Sequence, residues 1–281
     1  MIEVLKSGFY STIQDLGRLD FENYGVPVSG VMDQFSATLA NSLLGNHEND
    51  AVLEITMSGP SLKFNCDTSI CLTGADLTPM LNNKHIKHNR VIRINSGDIL
   101  SFGRLNFGFR SYLAVSGGFQ SELVMNSRSM YSEITKQVCI KKNEILSINP
   151  NKTNTISNSV LKTKASHFSS EVIEVFKGPE FELLNLEQQE LLLSETFTVS
   201  KNNSRMAYQL KETLDNSLEP IITSLVLPGT VQLTPSGKLI VLMRDCQTTG
   251  GYPRVLQLKE SSINILSQKF TNAKVKFKLI D

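Results

Sequence analysis

The sequence predicts a mainly β protein with a few short helices, arranged as two halves. Three observations predict it. Short apolar stretches rich in Val, Ile, Leu and Phe alternate with Gly, Asn, Ser and Pro along the whole chain, the rhythm of strands and turns. Apolar residues recur at helical spacing in two places. Between those places, residues 149–170 (NPNKTNTISNSVLKTKASHFSS) hold few large apolar side chains and read as a linker, dividing an N-terminal domain, 1–160, from a C-terminal domain, 161–281. With 281 residues, 40% of them hydrophobic, both halves can bury a core without help from metals or disulfides.

In chain order, the first feature is a polar, glycine-bearing segment, TIQDLGRLDFENYGVPVSGVMD (12–33), with Gln14, Asp15, Arg18, Tyr24, Ser29 and Asp33. Polar loops at the edge of a core are where sites tend to sit. Their ordinary uses here are a surface pair for Asp15 with Arg18 and a helix cap for Asp33. The helix follows over 33–46, with Phe35, Leu39 and Leu43 on one stripe and Gly45-Asn46 as its stop. Residues 91–102 read as two strands around a Ser96-Gly97-Asp98 turn, and RSYLAVSGG (110–118) as an interior strand carrying Arg110. A short Gly-Pro element follows a strand in each half, at 55–64 and 174–184, a hint of internal duplication. A second helix over 185–195 starts at Asn185 with Gln188 three residues on, the spacing of a capping box. Interior strands recur at 230–237 and 238–245, and KVKFKLI (274–280) alternates Lys with Val275, Phe277 and Leu279, a strand burying one face.

The densest chemical signal is LMRDCQTTGGYPRV (242–255). A strand delivers Arg244 and Asp245, then Gln247, Thr248, Thr249, Gly250 and Gly251 lead to Tyr252. Such a loop can bring hydroxyls and bare backbone N–H groups up to a carboxylate, a phosphate or a developing oxyanion. It can equally be a tight connection whose Thr hydroxyls satisfy turn carbonyls. Arg205 opens SRMAYQL. A buried arginine there or at 110 needs an anionic or carbonyl partner, and a substrate can be that partner.

Composition narrows the classes of function. Lys+Arg at 28 against Asp+Glu at 27 supplies no field to hold a polyanion, and there is no tryptophan to stack bases, so nucleic acid is not expected. The four cysteines, at 66, 71, 139 and 246, lack the spacing of zinc or redox pairs and fit a reduced cytoplasmic chain. No apolar run approaches the ~18 residues of a membrane span. His85 and His88 sit among Asn residues that suggest a hairpin tip, and no residue is assigned to a metal. Walker A, GxSxG and HExxH motifs are absent. An ATP site on this chain is then unconventional, or lies on another chain.

Taken together, STIQDLGR, GVPVSGVMDQFSATLANSLLGN, AVLEITMSGP, LTGAD, FRSYLAVSGGF and PGTVQLTPSGKLIVLMRDCQTTGGYP occur in an order that closely resembles the biotin-dependent carboxyltransferase-like family. That family includes the C subunit of bacterial 5-oxoprolinase, allophanate hydrolase subunit 2 proteins and part of the carboxyltransferase region of urea carboxylase. The resemblance runs from about residue 11 to the end and is most specific over 12–46 and 228–254. It implies tandem cyclophilin-like β-barrels and an ATP-dependent conversion of 5-oxoproline to glutamate. The partners it implies are a kinase-inhibitor-like B subunit, in direct contact, and an A subunit that completes ring opening. ATP is expected with Mg2+, on this chain or a partner. Biotin belongs to the alternative, carboxyl transfer to a urea-like acceptor, and a non-catalytic antagonist of a kinase-inhibitor-like partner is a third reading.

On that resemblance Asp245, Thr248, Thr249 and Asp33 are the candidate catalytic residues, and Arg18, Arg110, Arg205, Gly250, Gly251 and Tyr252 the candidate substrate-binding residues. The arginines would meet a carboxylate or phosphate, the 248–251 segment the carbonyl oxygen, and Asp245 a water or metal. The polar segments from opposite ends of the chain are expected to meet in one anion-binding cavity between the barrels. Ala207 and Gln209 stand where the family pattern has glycine and arginine, and 126–131 (NSRSMY) departs from it as well.

Overall fold

The computed structural model describes residues 1–149 and 165–280. Most of the stretch read as a linker, and the expected boundary at 160–161, lie outside the described residues. The chain forms two compact units: Met1–Arg18 with Asp33–Phe168, and Leu19–Met32 with Ser169–Asp281. Residues 19–32, early in the sequence, therefore belong to the second unit.

The first unit holds two sheets. One has six strands in the order Ile145–Leu146, Ile2–Lys6, Ser61–Phe64, Ile99–Phe102, Pro79–Leu81 and Lys84–His85. The other has five, in the order Tyr10–Gln14, Val52–Thr56, Phe107–Val115, Thr68–Asp76 and Val91–Ile94. Their shared core includes Val4, Leu53, Ile55, Leu62, Phe64, Leu72, Leu100, Leu113 and Val115. Strand alternation explains the membership: Leu62 and Phe64 are buried while Ser61 and Lys63 between them are only partly so. The turn at 96–98 forms as expected, with Asp98 N–H bonding the Asn95 carbonyl at 3.1 Å. The strands on either side of it do not pair with each other. Val91–Ile94 joins Thr68–Asp76 in one sheet, and Ile99–Phe102 joins Ser61–Phe64 in the other.

The strand Phe107–Val115 is buried on both faces from Gly108 onward. Leu113 and Val115 point to the core, so Arg110, Tyr112 and Ala114 take the other face, where the helix Gln34–Leu44 packs. That helix is capped as the sequence indicates: the Asp33 carboxylate accepts the Ser36 N–H at 3.1 Å, and Gly45 ends it in a left-handed conformation at φ 68°. Its buried face differs from the expected stripe. Ser36, Ala37, Ala40, Asn41, Leu43 and Leu44 are buried and Phe35 is 46% exposed. Small residues let the helix backbone sit close to the sheet, close enough for the Thr73 hydroxyl to reach the Ser36 carbonyl at 2.6 Å.

The second unit is a closed seven-stranded barrel. Its order is Val172–Lys177, Arg254–Leu258, Thr230–Leu233, Lys238–Leu242, Ala207–Thr213, Phe197–Asn203 and Lys274–Leu279. The last strand returns parallel to the first and closes the barrel. In Lys274–Leu279, Val275 and Phe277 are buried and the lysines exposed. Tyr208, Leu210, Val231, Leu233, Leu239, Val241, Val255 and Phe277 fill the core, and Met32 of the early segment joins them. The helix Leu186–Ser194 begins with the complete capping box of Asn185 and Gln188. At the Gly178-Pro179 turn any side chain on Gly178 would run into the Arg254 carbonyl, so the close approach of the two strands requires glycine.

Candidate functional site

The sequence-predicted site residues fall into two groups, one in each unit. In the second unit the early and late polar segments meet. Arg205 is 6% exposed and holds both oxygens of Asp245, Nε to Oδ2 at 2.8 Å and a terminal nitrogen to Oδ1 at 3.0 Å. The same terminal nitrogen donates to the Gly30 carbonyl at 2.6 Å. The Ser29 hydroxyl donates to Asp245 Oδ1 at 2.7 Å, and the Ser29 N–H to the Arg244 carbonyl at 3.0 Å. Asp245 thus sits at a crossing where a bidentate arginine and a serine tie residues 29–30 to the barrel. Ser29 itself adopts φ 58°, a left-handed backbone held by these bonds. Arg244 turns the other way, to the Glu260 carboxylate, and anchors the helix Glu260–Ser267.

The loop after Asp245 lies on the outside of the barrel. Thr249–Gly250 makes a two-residue ladder with Ser224–Leu225, and the carbonyls of Thr248 and Gly251 accept the N–H groups of Val226 and Ile221 at 3.1 and 3.0 Å. Beneath it Val226, Leu242 and Cys246 form a small apolar cluster with Ala207 and Ile240. Ala207 and Gln209, the departures from the family pattern, lie on the strand Ala207–Thr213, where Gln209 accepts a bond from Asn202 at 3.0 Å. Burial, with the Asp245 charge adding to it, pushes the Cys246 thiol up to about 12. A side chain on Gly250 would run into the Gln232 amide. Gln232 is 2% exposed and its amide nitrogen has no partner among the described residues, nor has the buried Gln247 Oε1. Thr249 is exposed and Tyr252 is 40% exposed. The arrangement offers the exposed Thr249 and the Tyr252 ring to a ligand, while the unpartnered amide atoms of Gln232 and Gln247 lie buried beneath them near a fixed arginine-carboxylate pair.

In the first unit Asp33 and Arg110 belong to one buried network. Asp33 Oδ2 accepts the Ser36 hydroxyl at 2.6 Å and His167 Nε2 at 2.7 Å, in addition to its cap bond. The Asp33 N–H donates to the Tyr112 hydroxyl at 2.8 Å, and that hydroxyl donates to Glu54 Oε2 at 3.0 Å. Glu54 stands directly opposite Tyr112 across the sheet, and Arg110 Nε lies 3.8 Å from Glu54 Oε1. Asp33, Glu54, Tyr112 and Arg110 are all 2% exposed or less. Burial, and then the charges of Glu54 and Asp33, hold the Tyr112 hydroxyl well above its ordinary pKa, so it stays a donor.

Arg18 is elsewhere in this unit, fully buried, donating to the Ser129 carbonyl. Asp15 is 4% exposed, so both residues of the surface pair expected from sequence lie in the interior, each with its own partners. Asp15 accepts from Ser127, Ser129, Gly17 and the Arg128 backbone. His88 lies 3.2 Å from Asp76. The chemistry of the sequence does not single out Glu54, Tyr112 or His167, and it gives Ser29 no role. Glu54, the one charged residue in the strand Val52–Thr56, is the signal that was available.

Known proteins resemble the chain over its whole length and over part of it. Over its whole length it is 29% identical to the 5-oxoprolinase C subunit of Haemophilus influenzae, covering 91% of that protein. It is 31% identical to the 5-oxoprolinase C subunit of Escherichia coli, over 95% of this chain and 87% of the relative. Over 46% of this chain it is 40% identical to urea amidolyase of Lachancea kluyveri, covering 7% of that protein. In structure it matches the urea amidolyase of K. lactis with a TM-score of 0.87 and 25% identity, covering 100% of this chain and 19% of that one. The chain therefore spans about a fifth of that larger enzyme. Residues 24–279 match the model of the carboxyltransferase domain, subdomain A and B, and the chain belongs to that family.

Proposed function

We propose that the chain is the C subunit of an ATP-dependent 5-oxoprolinase, which converts 5-oxoproline to glutamate together with its A and B subunits. What carries the reading is the near full-length similarity to two 5-oxoprolinase C subunits, against partial similarity to urea amidolyases. The chemistry asks for a partner-dependent device. Amide resonance makes the lactam carbonyl a poor electrophile, and phosphorylation of its oxygen by ATP converts that oxygen into a leaving group. Such a site needs donors aimed at the carbonyl oxygen and cations for phosphate charge. In this reading Thr248, Thr249, Gly250 and Gly251 face the carbonyl and Tyr252 covers it, beside the Arg205–Asp245 pair of the same unit. ATP is expected with Mg2+, bound on this chain or on a partner subunit. The kinase-inhibitor-like B subunit is the direct partner, and the A subunit completes ring opening in the cytoplasm. No helix among the described residues is long and apolar enough to cross a membrane.

The second reading, transfer of a carboxyl group from a separate biotin carrier to a urea-like acceptor, is favoured by the higher local identity to urea amidolyase. Mixing the chain with the A and B subunits and following ATP-dependent glutamate formation from 5-oxoproline tests the first. Turnover that disappears when this chain is omitted supports it. Absence of turnover with carboxyl transfer from carboxybiotin to urea supports the second, and binding to the B subunit without either activity supports the antagonist.

A further inference from the structure

The segment 126–131, which departs from the family pattern and takes no part in the proposed reaction, walls a cavity of about 290 Å³ in the first unit. Ser121, Glu122, Arg128, Met130, Thr135, Lys136 and Gln137 line it. We propose that this cavity is a binding site for a small monocarboxylate, with Arg128 as its counter-ion.

Arg128 is held through both its backbone and its side chain. The Asp15 carboxylate accepts three bonds from this region, the Ser127 hydroxyl at 2.6 Å, the Ser129 hydroxyl at 2.7 Å and the Arg128 N–H at 2.6 Å, and is itself held by the Gly17 N–H at 2.9 Å. Val124 and Ser127 bridge each other, with Met125 and Asn126 between them at φ 51° and 60°, a turn with both central residues left-handed. The Arg128 side chain is then pinned by the Ser121 carbonyl and by Gln120 Oε1 at 2.8 Å. A loop tied this firmly presents its cation without further ordering on binding.

Charge selects the ligand. Both acceptors on the Arg128 guanidinium are neutral, and no carboxylate among the described residues hydrogen-bonds it. Two of its five N–H groups are used, leaving three for an incoming anion. Lys136 at the rim contributes little net charge, because Glu122 faces it: Nζ lies 3.5 Å from Oε1, and the Lys136 N–H donates to Oε2 at 3.3 Å. One uncompensated positive charge beside the apolar Met130 suits a carboxylate on a carbon skeleton better than a phosphate dianion. The volume lies at the small end of ligand cavities, the size of a metabolite rather than a nucleotide.

Calorimetric titration of the full chain alone tests this, with acetate, 5-oxoprolinate, inorganic phosphate and 2-pyrrolidinone, a lactam without the carboxylate, as probes. At least one carboxylate is expected to bind, with 2-pyrrolidinone and phosphate at least tenfold weaker, and Arg128→Gln lowering the carboxylate's affinity tenfold or more. Since Arg128→Gln can loosen its loop, Glu122→Gln provides a second measurement: losing the rim's negative charge is expected to tighten the carboxylate about threefold. Affinities of both monocarboxylates weaker than about 10 mM, equal binding of phosphate or 2-pyrrolidinone, or no change in Arg128→Gln overturns the proposal. The measurement involves neither ATP nor the partner proteins, so it succeeds or fails apart from the proposed reaction.

Discussion

Replacing Asp245 by alanine removes three bonds at once: two from Arg205, at 2.8 and 3.0 Å, and one from Ser29, at 2.7 Å. The guanidinium stays where it is, 6% exposed, with the Gly30 carbonyl as an acceptor but no counter-charge from Asp245. Breaking a buried ion pair from one side costs about 3–5 kcal/mol, most of it the stranded charge. Removing both partners strands nothing, so Arg205→Ala combined with Asp245→Ala should lose less than the sum of the singles by about 2 kcal/mol or more. Urea unfolding of the wild type, both single variants and the double variant measures this directly. Asp245→Asn, which keeps the shape and the Ser29 bond, is expected to fall between wild type and Asp245→Ala. Single variants within about 0.5 kcal/mol of wild type, or strictly additive losses, would refute the view of this cluster as a strap on residues 29–30. Turnover in the three-subunit reaction then separates the strap from chemistry. An Asp245→Asn protein that folds, binds the B subunit and retains full turnover places the carboxylate outside the reaction.

Asp33→Ala removes a helix cap, a serine hydroxyl bond and the His167 bond together, and thermal unfolding is expected to show a loss of about 2 kcal/mol, with His167→Ala losing about half as much. The hydrogen bonds from Arg254, at 2.8 and 3.0 Å, hold the Glu180 carboxyl below its ordinary 4.5, so the ionised form favours the folded state. Its contribution is complete above pH 4.5 and is lost as the pH falls through the lowered value. Glu180→Gln should therefore cost about 1 kcal/mol at pH 7, and the gap from wild type should close in acid unfolding curves. Burial raises the Cys71 and Cys246 thiols to about 12, whereas Cys66 and Cys139 are partly exposed. At pH 8 a disulfide reagent is expected to titrate two thiols in the native protein and four in denaturant.

What could be read from the sequence was what neighbouring residues decide. Asp33 and Gly45 bound their helix because cap chemistry acts within one turn, and Asn185 with Gln188 did the same. The alternation in 274–280 placed Val275 and Phe277 inside because a strand's period is independent of its partner. Pairing was another matter. Nothing local in 91–102 says that its two strands enter different sheets, since that is settled by the partners Thr68–Asp76 and Ser61–Phe64. Phe35 looked like a core residue by spacing, but close packing of Ala37 and Ala40 on the sheet rotates it outward. Among the candidate site residues, Arg205 and Asp245 were found as charged residues flanking apolar runs. His167 was hidden in a Ser-rich stretch, its carboxylate partner 134 positions away. Asp15 and Arg18 looked like a surface pair because sequence spacing carries no information on what covers them.

The assignment of residues 19–32 to the barrel unit has a consequence for how the polypeptide can be made or cut. A fragment starting at residue 165 would lack Met32 from its interior and would leave Arg205 without the Gly30 carbonyl, so it should be a poorer folder than a barrel of its size. During synthesis those fourteen residues emerge long before their partners exist and must wait, exposed or held by chaperones, until the last strand leaves the ribosome. Cleavage near residue 19 should therefore be most damaging in the nascent chain and far less so once the barrel has closed around Met32.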